Sequence, residues 1–187
     1  MTEMQRVALM EKSQAPLLAR RFFDRGDPGA IVATLAHVPE LLETTAPFLG
    51  SIYGPSALPP RLKEIVVLRT SGLQKCRYCI ETHSVVALDS GLNRQEVLYL
   101  RDERDIGDLF DDERERALLA WVELVALGPG EPSENVAAKL KAHFSDAEIV
   151  EITMVSAATL MLNRFCTPLG LPTSAATLNR LSEEGLH

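Results

Sequence analysis

The pair Cys76-Arg77-Tyr78-Cys79 sits between two stretches of helical periodicity, and that placement constrains the fold more than any other feature of the chain. Before it, Leu62, Ile65, Val66 and Leu68 recur at helical spacing from Pro60, suited to a first helical turn, to about Ser71. Gly72-Leu73-Gln74-Lys75 reads as a connection. A second helix then starts near Cys76 and stops before Gly91, which caps it after Ser90. A thioredoxin-like fold places such a pair directly after a strand. No stretch of this chain alternates as a strand bounded by turns does, and the β-branched pairs Val66-Val67 and Ile149-Val150 each lie inside a helical period.

The rest of the chain repeats this pattern. Gly29 to His37 and Pro39 to Ile52 read as helices, the second with Leu41, Leu42, Thr45, Phe48 and Leu49 at helical spacing. Asn93 caps Arg94 to Arg101. Asp102 to Phe110 is charged and turn-like, and Asp102, Glu103, Arg104 and Asp105, like Asp111 to Arg116, read as solvated surface. Acids at Asp111 to Glu113 open a long helix that ends near Gly128, with Leu118, Trp121, Val122, Leu124 and Val125 on its core face. Gly128 to Pro132 is a loop, and Ser133 caps a helix through Phe144 with Val136 and Leu140 inward. Ser145 and Glu148 form a capping box for a helix to about Phe165, and a last helix spans Ser174 to Ser182. Met1 to Asp27 is broken by Pro16 and Gly26 and holds at most short helices. Its Leu17, Leu18, Phe22 and Phe23 are expected to dock residues 1–28 on the body or on a neighbouring subunit. The expected fold is all-α, about seven to nine helices in one compact domain over residues 1–187.

Composition excludes several classes. With 46% hydrophobic and 24% charged residues the chain is an ordinary globular protein, and 187 residues bury a core without staples. A net charge of −7 argues against a nucleic-acid surface. The first residues lack the apolar run of a secretion signal. Ile152 to Leu162, the most apolar stretch, is shorter than the roughly 20 residues a bilayer needs and reads as a buried helix. Three cysteines make an odd count, so a disulfide framework is not expected, and a cytosolic redox or metal-binding dithiol is.

At about 100° per residue, Cys76, Cys79 and His83 fall within an arc of roughly 60°. Ile80, Val86, Ala87 and Ser90 extend that inward stripe, while Arg77, Glu81 and Ser84 lie on a polar side. Cysteines at i and i+3 in a first helical turn close a disulfide with little backbone change. A helix N-terminus and a nearby imidazole favour thiolate, the nucleophilic form. His83, one turn past Cys79, is within reach for proton transfer, and Glu64 on the preceding helix can orient it. The N-terminus favours Cys76 as nucleophile and the proximity of His83 favours Cys79, so spacing leaves the choice open.

Other readings compete. Zinc would need a fourth ligand, and Cys166, His37, His143 and His187 are scattered. Haem attachment needs a histidine where Ile80 stands. Tyr78 reads as packing or a hydrogen-bond donor, Cys166 as a buried small hydrophobe and Trp121 as core. A short echo of Leu62-Lys63-Glu64-Ile65-Val66 at Asp146-Ala147-Glu148-Ile149-Val150, each followed by a cysteine, suggests a duplicated helix pair.

Glu64, Cys76-x-x-Cys79, His83, Ala87 and Gly91, with Asn163-Arg164 farther on, resemble the signature of the alkylhydroperoxidase AhpD-like, carboxymuconolactone decarboxylase family, in its uncharacterised peroxidase-related branch. The close match runs from about Pro59 to Gly91. The resemblance implies an all-α homo-oligomer, a trimer or hexamer, with peroxidase activity that needs no metal or cofactor. It implies that Cys79 attacks the hydroperoxide and Cys76 closes the disulfide. His83 and Glu64 would relay protons, and a dithiol reductant, such as a dihydrolipoyl-bearing protein, would reset the site. Tyr78 departs from the family, whose AhpD enzyme has a second histidine there. The decarboxylase branch lacks the cysteine pair. A disulfide reductase and a redox-sensing or zinc-binding module are the alternatives.

Overall fold

Proline at the first helical position, or an Asn, Ser or Asp side chain just before it, starts most of the helices in the computed structural model, which describes residues 5–102, 109–128 and 130–186. The surface reading of Glu103, Arg104 and Asp105, the Pro129 part of the loop and His187 lie outside these residues, whereas Glu115, also read as surface, is buried and accepts from Arg61 at 2.7 Å. Every regular element among them is helical: α1 (Leu17–Arg20), a 3-10 turn (Arg21–Phe23), α2 (Ala30–Leu35), α3 (Pro39–Tyr53), α4 (Pro60–Leu73), α5 (Arg77–Asp89), α6 (Arg94–Leu100), α7 (Glu113–Leu127), α8 (Glu134–His143), α9 (Asp146–Leu169) and α10 (Ala175–Glu183). The helix beyond the expected range is α1, a single turn in the segment where only short helices were expected. The expected capping box of Ser145 with Glu148 forms, and Asn93, expected as a simple cap, makes a second one with Glu96.

α4 is the centre of the fold. α5, α6, α7 and α9 pack on it, and every residue from Leu62 to Gly72 is buried. Its polar side chains must therefore find partners inside the protein. Lys63 Nζ donates to the carbonyls of Ile52 (3.0 Å) and Gly54 (2.6 Å) and pairs with Glu151 at 3.0 Å. Arg69 pairs with Glu123 at 2.7 Å and stacks over the Tyr99 ring. Thr70 meets Ser156 of α9 at 3.0 Å, and Ser71 accepts from Asn163 of α9 at 3.2 Å. These bonds fix the rotation of α4 against α9, and so the direction in which Glu64 points.

Gly72 belongs to α4 rather than to the connection expected there. A Cβ at this position would lie 2.3 Å from the Leu100 carbonyl oxygen and 2.8 Å from the Arg101 carbonyl carbon, both backbone. Glycine lets the end of α6 touch α4. Gly72→Ala is expected to cost about 3 kcal/mol, the upper part of the overpacking range. That lowers Tm by roughly 6–12 °C in a chain of this size. A variant melting with the wild type would contradict this.

Of the expected docking residues, Phe23 is buried and Phe22 packs beside it. The N-terminal segment docks through Ala15, Ala19 and Phe23, which bury against Ala33, Ala36 and Leu42. Leu17 is 80% exposed on this chain and Leu18 is also exposed, because two and three residues past Ala15 they lie off the i, i+4, i+8 line of Ala15, Ala19 and Phe23 that buries. The internal echo is not a duplicated helix pair. α4 and α5 are separated by a turn at Gln74–Cys76, whereas α9 runs unbroken through Cys166. At 24 residues α9 is long and apolar enough to cross a membrane by length and composition, longer than the stretch read from the sequence. One of its faces, Ile152, Val155, Ser156, Thr159, Asn163 and Cys166, is buried within the protein.

Candidate functional site

The turn between α4 and α5 delivers the dithiol. Lys75 takes a left-handed φ of 54°. Its N–H donates to the Gly72 carbonyl at 3.0 Å, and that of Cys76 donates to Ser71 at 3.1 Å. This closes α4 in a Schellman arrangement with lysine where glycine is usual. Cys76 is then the N-cap of α5, and its carbonyl accepts from Ile80 at 2.8 Å. Cys79 follows one turn later. The two sulfurs lie 2.7 Å apart as free thiols, Cys76 fully buried and Cys79 5% exposed.

The relay expected from spacing also assembles. Glu64 of α4 reaches α5, and His83 Nδ1–H donates to its Oε2 at 2.9 Å. The Nδ1 bond leaves Nε2 with its lone pair, the form a general base needs. The His83 side chain is 27% exposed and that of Glu64 11%, so the relay joins the interior to solvent. Cys79 and His83 differ by about 40° around α5, while Tyr78 and His83 differ by about 140°. Tyr78 lines a groove with Leu9, Asp27, Thr82 and Thr177 instead.

Part of the α5 stripe is corrected. Ser84, placed on the polar side, is buried and donates to the Ile80 carbonyl at 2.7 Å. Val86, placed on the inward stripe, is 40% exposed. α4, α6, α9 and α10 all pack on α5, so a neighbour covers the face that one-helix periodicity left wet.

The sequence reading missed what α9 and α3 bring. Ser156, Thr159, Asn163 and Cys166, spaced as one helix face, are all buried. Polar residues at helical spacing in the most apolar segment were the signal. Cys166 packs with Cys76, Cys79, Ala30 and Leu171 in one buried group. The Asn163 amide reaches Cys79, and its Oδ1 has no partner among the described residues. Thr159 Oγ1 lies 3.0 Å from the Tyr53 hydroxyl, and the Tyr53 ring stands 6.3 Å from that of His83. Among the described residues no three His, Cys, Asp or Glu side chains are arranged to hold a metal ion.

The three sulfurs share one negative charge, in a coupled titration. Hydrogen bonds from Cys166 and then from Cys79 pull Cys76 down to about 3, against the effect of burial. On Cys79 the Cys166 bond also pulls down. The bond to Cys76 and burial outweigh it, and the thiol rises to about 12. Cys166 is pushed far up by its bonds to Cys76 and Cys79 and by burial. Burial, opposed by the Thr159 bond, raises Tyr53 to about 12, and burial raises Tyr78 to about 12. Both phenols are therefore neutral near pH 7, and Tyr78 cannot take the place of a basic histidine.

A spectroscopic result follows. Thiolate absorbance at 240 nm should show one thiolate per reduced chain at pH 7, retained on acidification until the pH nears about 3, and absent in Cys76→Ser. A depressed thiol is charged above its own value, so acid is what removes the signal. Three thiols titrating together near the ordinary 9.0 would overturn the assignment.

Residues 39–124 match the Carboxymuconolactone decarboxylase family, a span that holds Glu64, Cys76, Cys79 and His83. The chain is 34% identical over 106 residues to an uncharacterised protein of Mycobacterium tuberculosis. That match covers 57% of this chain and 37% of the relative, so it spans little more than a third of the relative's length. Three solved structures share the fold. One is a protein of unknown function from Agrobacterium tumefaciens, provisionally assigned to antioxidant defence as AhpD. It is 28% identical, over 75% of this chain and 95% of that one, with TM-score 0.68. An uncharacterised peroxidase-related protein from Ralstonia eutropha, an alkylhydroperoxidase AhpD core, is 21% identical over 92% and 93%, with TM-score 0.77. The debrominase Bmp8, bound to 2,3,4-tribromopyrrole, is 23% identical over 95% and 96%, also with TM-score 0.77.

Proposed function

We propose that this chain, whose residues 39–124 belong to the carboxymuconolactone decarboxylase family, is a dithiol peroxidase that reduces hydrogen peroxide or organic hydroperoxides. The observation that supports it is the pair of free sulfurs 2.7 Å apart, one helical turn from a histidine bonded to a carboxylate at 2.9 Å. That set holds a nucleophile, a resolving thiol and an oriented base.

The reaction balances on these groups. His83 Nε2 takes the Cys79 thiol proton, Cys79 sulfur attacks an oxygen of the hydroperoxide, the O–O bond breaks, and His83 returns that proton to the departing alkoxide or hydroxide. Cys79 becomes a sulfenic acid. Cys76 thiolate attacks its sulfur, the disulfide forms, and the departing hydroxide takes a proton from solvent and leaves as water. Two electrons pass from the dithiol to the peroxide, and an external dithiol restores the pair. A dihydrolipoyl-bearing protein suits this step, because a slender arm reaches buried sulfurs.

Charge and access favour different cysteines. Cys76 carries the resting charge but has no exposed surface, whereas Cys79 has some and faces His83. We take access to decide. Taking one proton from Cys79 is a smaller change than opening the packing over Cys76. The same burial weighs against a folded protein disulfide as substrate. Free thiols of this kind persist in a reducing compartment, so we place the chain in the cytosol.

We also propose a homo-oligomer. The outer face of α9 exposes Val150 (66%), Met154 and Met161, and the neighbouring α3 exposes Leu41 and Phe48. Light scattering at micromolar concentration should give a multiple of the chain mass, and a monomer would defeat this. The test of the function is steady-state peroxide consumption with a dithiol reductant, with 2,3,4-tribromopyrrole as a parallel electrophile. Peroxide consumption no faster than reductant alone would sink the peroxidase reading.

A further inference from the structure

We propose that Cys166 is a third redox-active thiol of this site, able to close a disulfide on Cys79 in place of Cys76. The proposal rests on the pair being a redox dithiol, and it does not depend on the oxidant.

The observation is a buried cluster of three sulfurs drawn from two distant parts of the chain. Cys76 and Cys79 come from the start of α5. Cys166 comes from the end of α9, where it is 1% exposed in one packed group with Ala30 and Leu171. The end of α9 is pinned by a Schellman cap. Gly170, at φ 62°, donates to the Thr167 carbonyl at 3.1 Å, and Leu171 donates to the Cys166 carbonyl at 3.2 Å. A cysteine serving only as a small hydrophobe would pack against carbon. This one lies in the same buried packed group as both sulfurs of the pair, so the contact of α5 with α9 already holds Cys166 beside Cys79.

Two routes lead to the Cys79–Cys166 bond. If Cys79 is a sulfenic acid, the Cys166 thiol attacks its sulfur, the S–S bond forms, and hydroxide leaves with the thiol proton as water. If the Cys76–Cys79 disulfide has already formed, Cys166 attacks Cys79 sulfur, the old S–S bond breaks, and the proton of Cys166 is released as Cys76 departs. Cys76 leaves readily, because the site stabilises it as thiolate and a low-pKa thiol is the better leaving group. The second route transfers no electrons overall. It yields an oxidised form in which α5 and α9 are tied and Cys76 is free. That form lies deeper in the protein and should be reduced more slowly than the Cys76–Cys79 disulfide.

The test uses diamide, a two-electron thiol oxidant, so that its outcome is independent of peroxide turnover. Reduced Cys76→Ser retains two thiols of the three in the chain. One equivalent of diamide should remove both, and non-reducing peptide mapping should find Cys79 linked to Cys166 within one chain. The double variant Cys76→Ser/Cys166→Ser should keep its single thiol. Two surviving thiols in Cys76→Ser, or links between chains only, would overturn the proposal. If Cys76→Ser does not fold, the wild type serves, mapped at intermediate stages of oxidation. A Cys79–Cys166 peptide should appear beside the Cys76–Cys79 one, and its absence at every stage overturns the proposal. A positive diamide result with no peroxide consumption would reject the peroxidase reading and leave this one standing.

Discussion

Cys79→Ser is expected to lower peroxide consumption at least roughly 10³-fold, to the background of the reductant, because the serine hydroxyl is no nucleophile at neutral pH without strong activation. The fold should survive. The substitution removes one sulfur from a buried cluster, and the serine hydroxyl keeps a donor and acceptor for the Asn163 amide. Cys76→Ser should behave differently. It loses the resolving thiol but keeps Cys79, so a stopped-flow burst of one peroxide per chain should persist even where steady turnover falls. The comparison decides between access and charge. If Cys79→Ser keeps the burst and Cys76→Ser loses it, the buried thiolate is the attacker and the roles of the two cysteines are reversed. If both lose it, the nucleophile is not assigned by either argument.

His83→Ala carries the second largest effect. A positioned general acid–base contributes about 10²–10⁴-fold, and this histidine lies one turn from Cys79 with Nε2 left free by the bond to Glu64. Glu64→Gln should cost less, roughly 10²-fold, because the amide oxygen still accepts from Nδ1–H while the charge that stabilises the imidazolium is gone. Glu64 acts through His83, so the effects should not multiply. The double variant His83→Ala/Glu64→Gln should be no slower than His83→Ala alone. Rates that multiply would mean that Glu64 touches the substrate by a separate route. Circular dichroism and thermal melting of each variant guard against a trivial loss, since Glu64 sits in the central helix and a buried carboxylate left unpaired in His83→Ala has its own cost.

Much of this was legible in the sequence because it is local. The i, i+3, i+7 spacing of Cys76, Cys79 and His83, the capping box at Ser145 and the caps at Asn93 and Gly91 depend on neighbours within two turns. Glu64 was legible for a similar reason, since α4 and α5 are consecutive and antiparallel neighbours across a short turn. Where the reading failed, a second element had intervened. Ser84 and Val86 exchanged burial because α5 is covered on several sides. Gly72 passed for a turn residue, although its lack of a side chain serves the contact with Leu100 and Arg101. Leu41 and Phe48 of α3 have helical spacing but stay outside.

The sequence by itself determined the all-helical class and a thiol pair at the head of a helix with a histidine one turn on. Backbone hydrogen bonding and side-chain periodicity are set by residues three and four apart. The tertiary structure alone decided what surrounds that pair. Nearly ninety residues separate Cys79 from Cys166, and no periodicity reports a contact across that distance. The rotation of α9 against α4, set by Thr70 on Ser156 and Ser71 on Asn163, turned an isolated cysteine in an apolar helix into the third sulfur of the site.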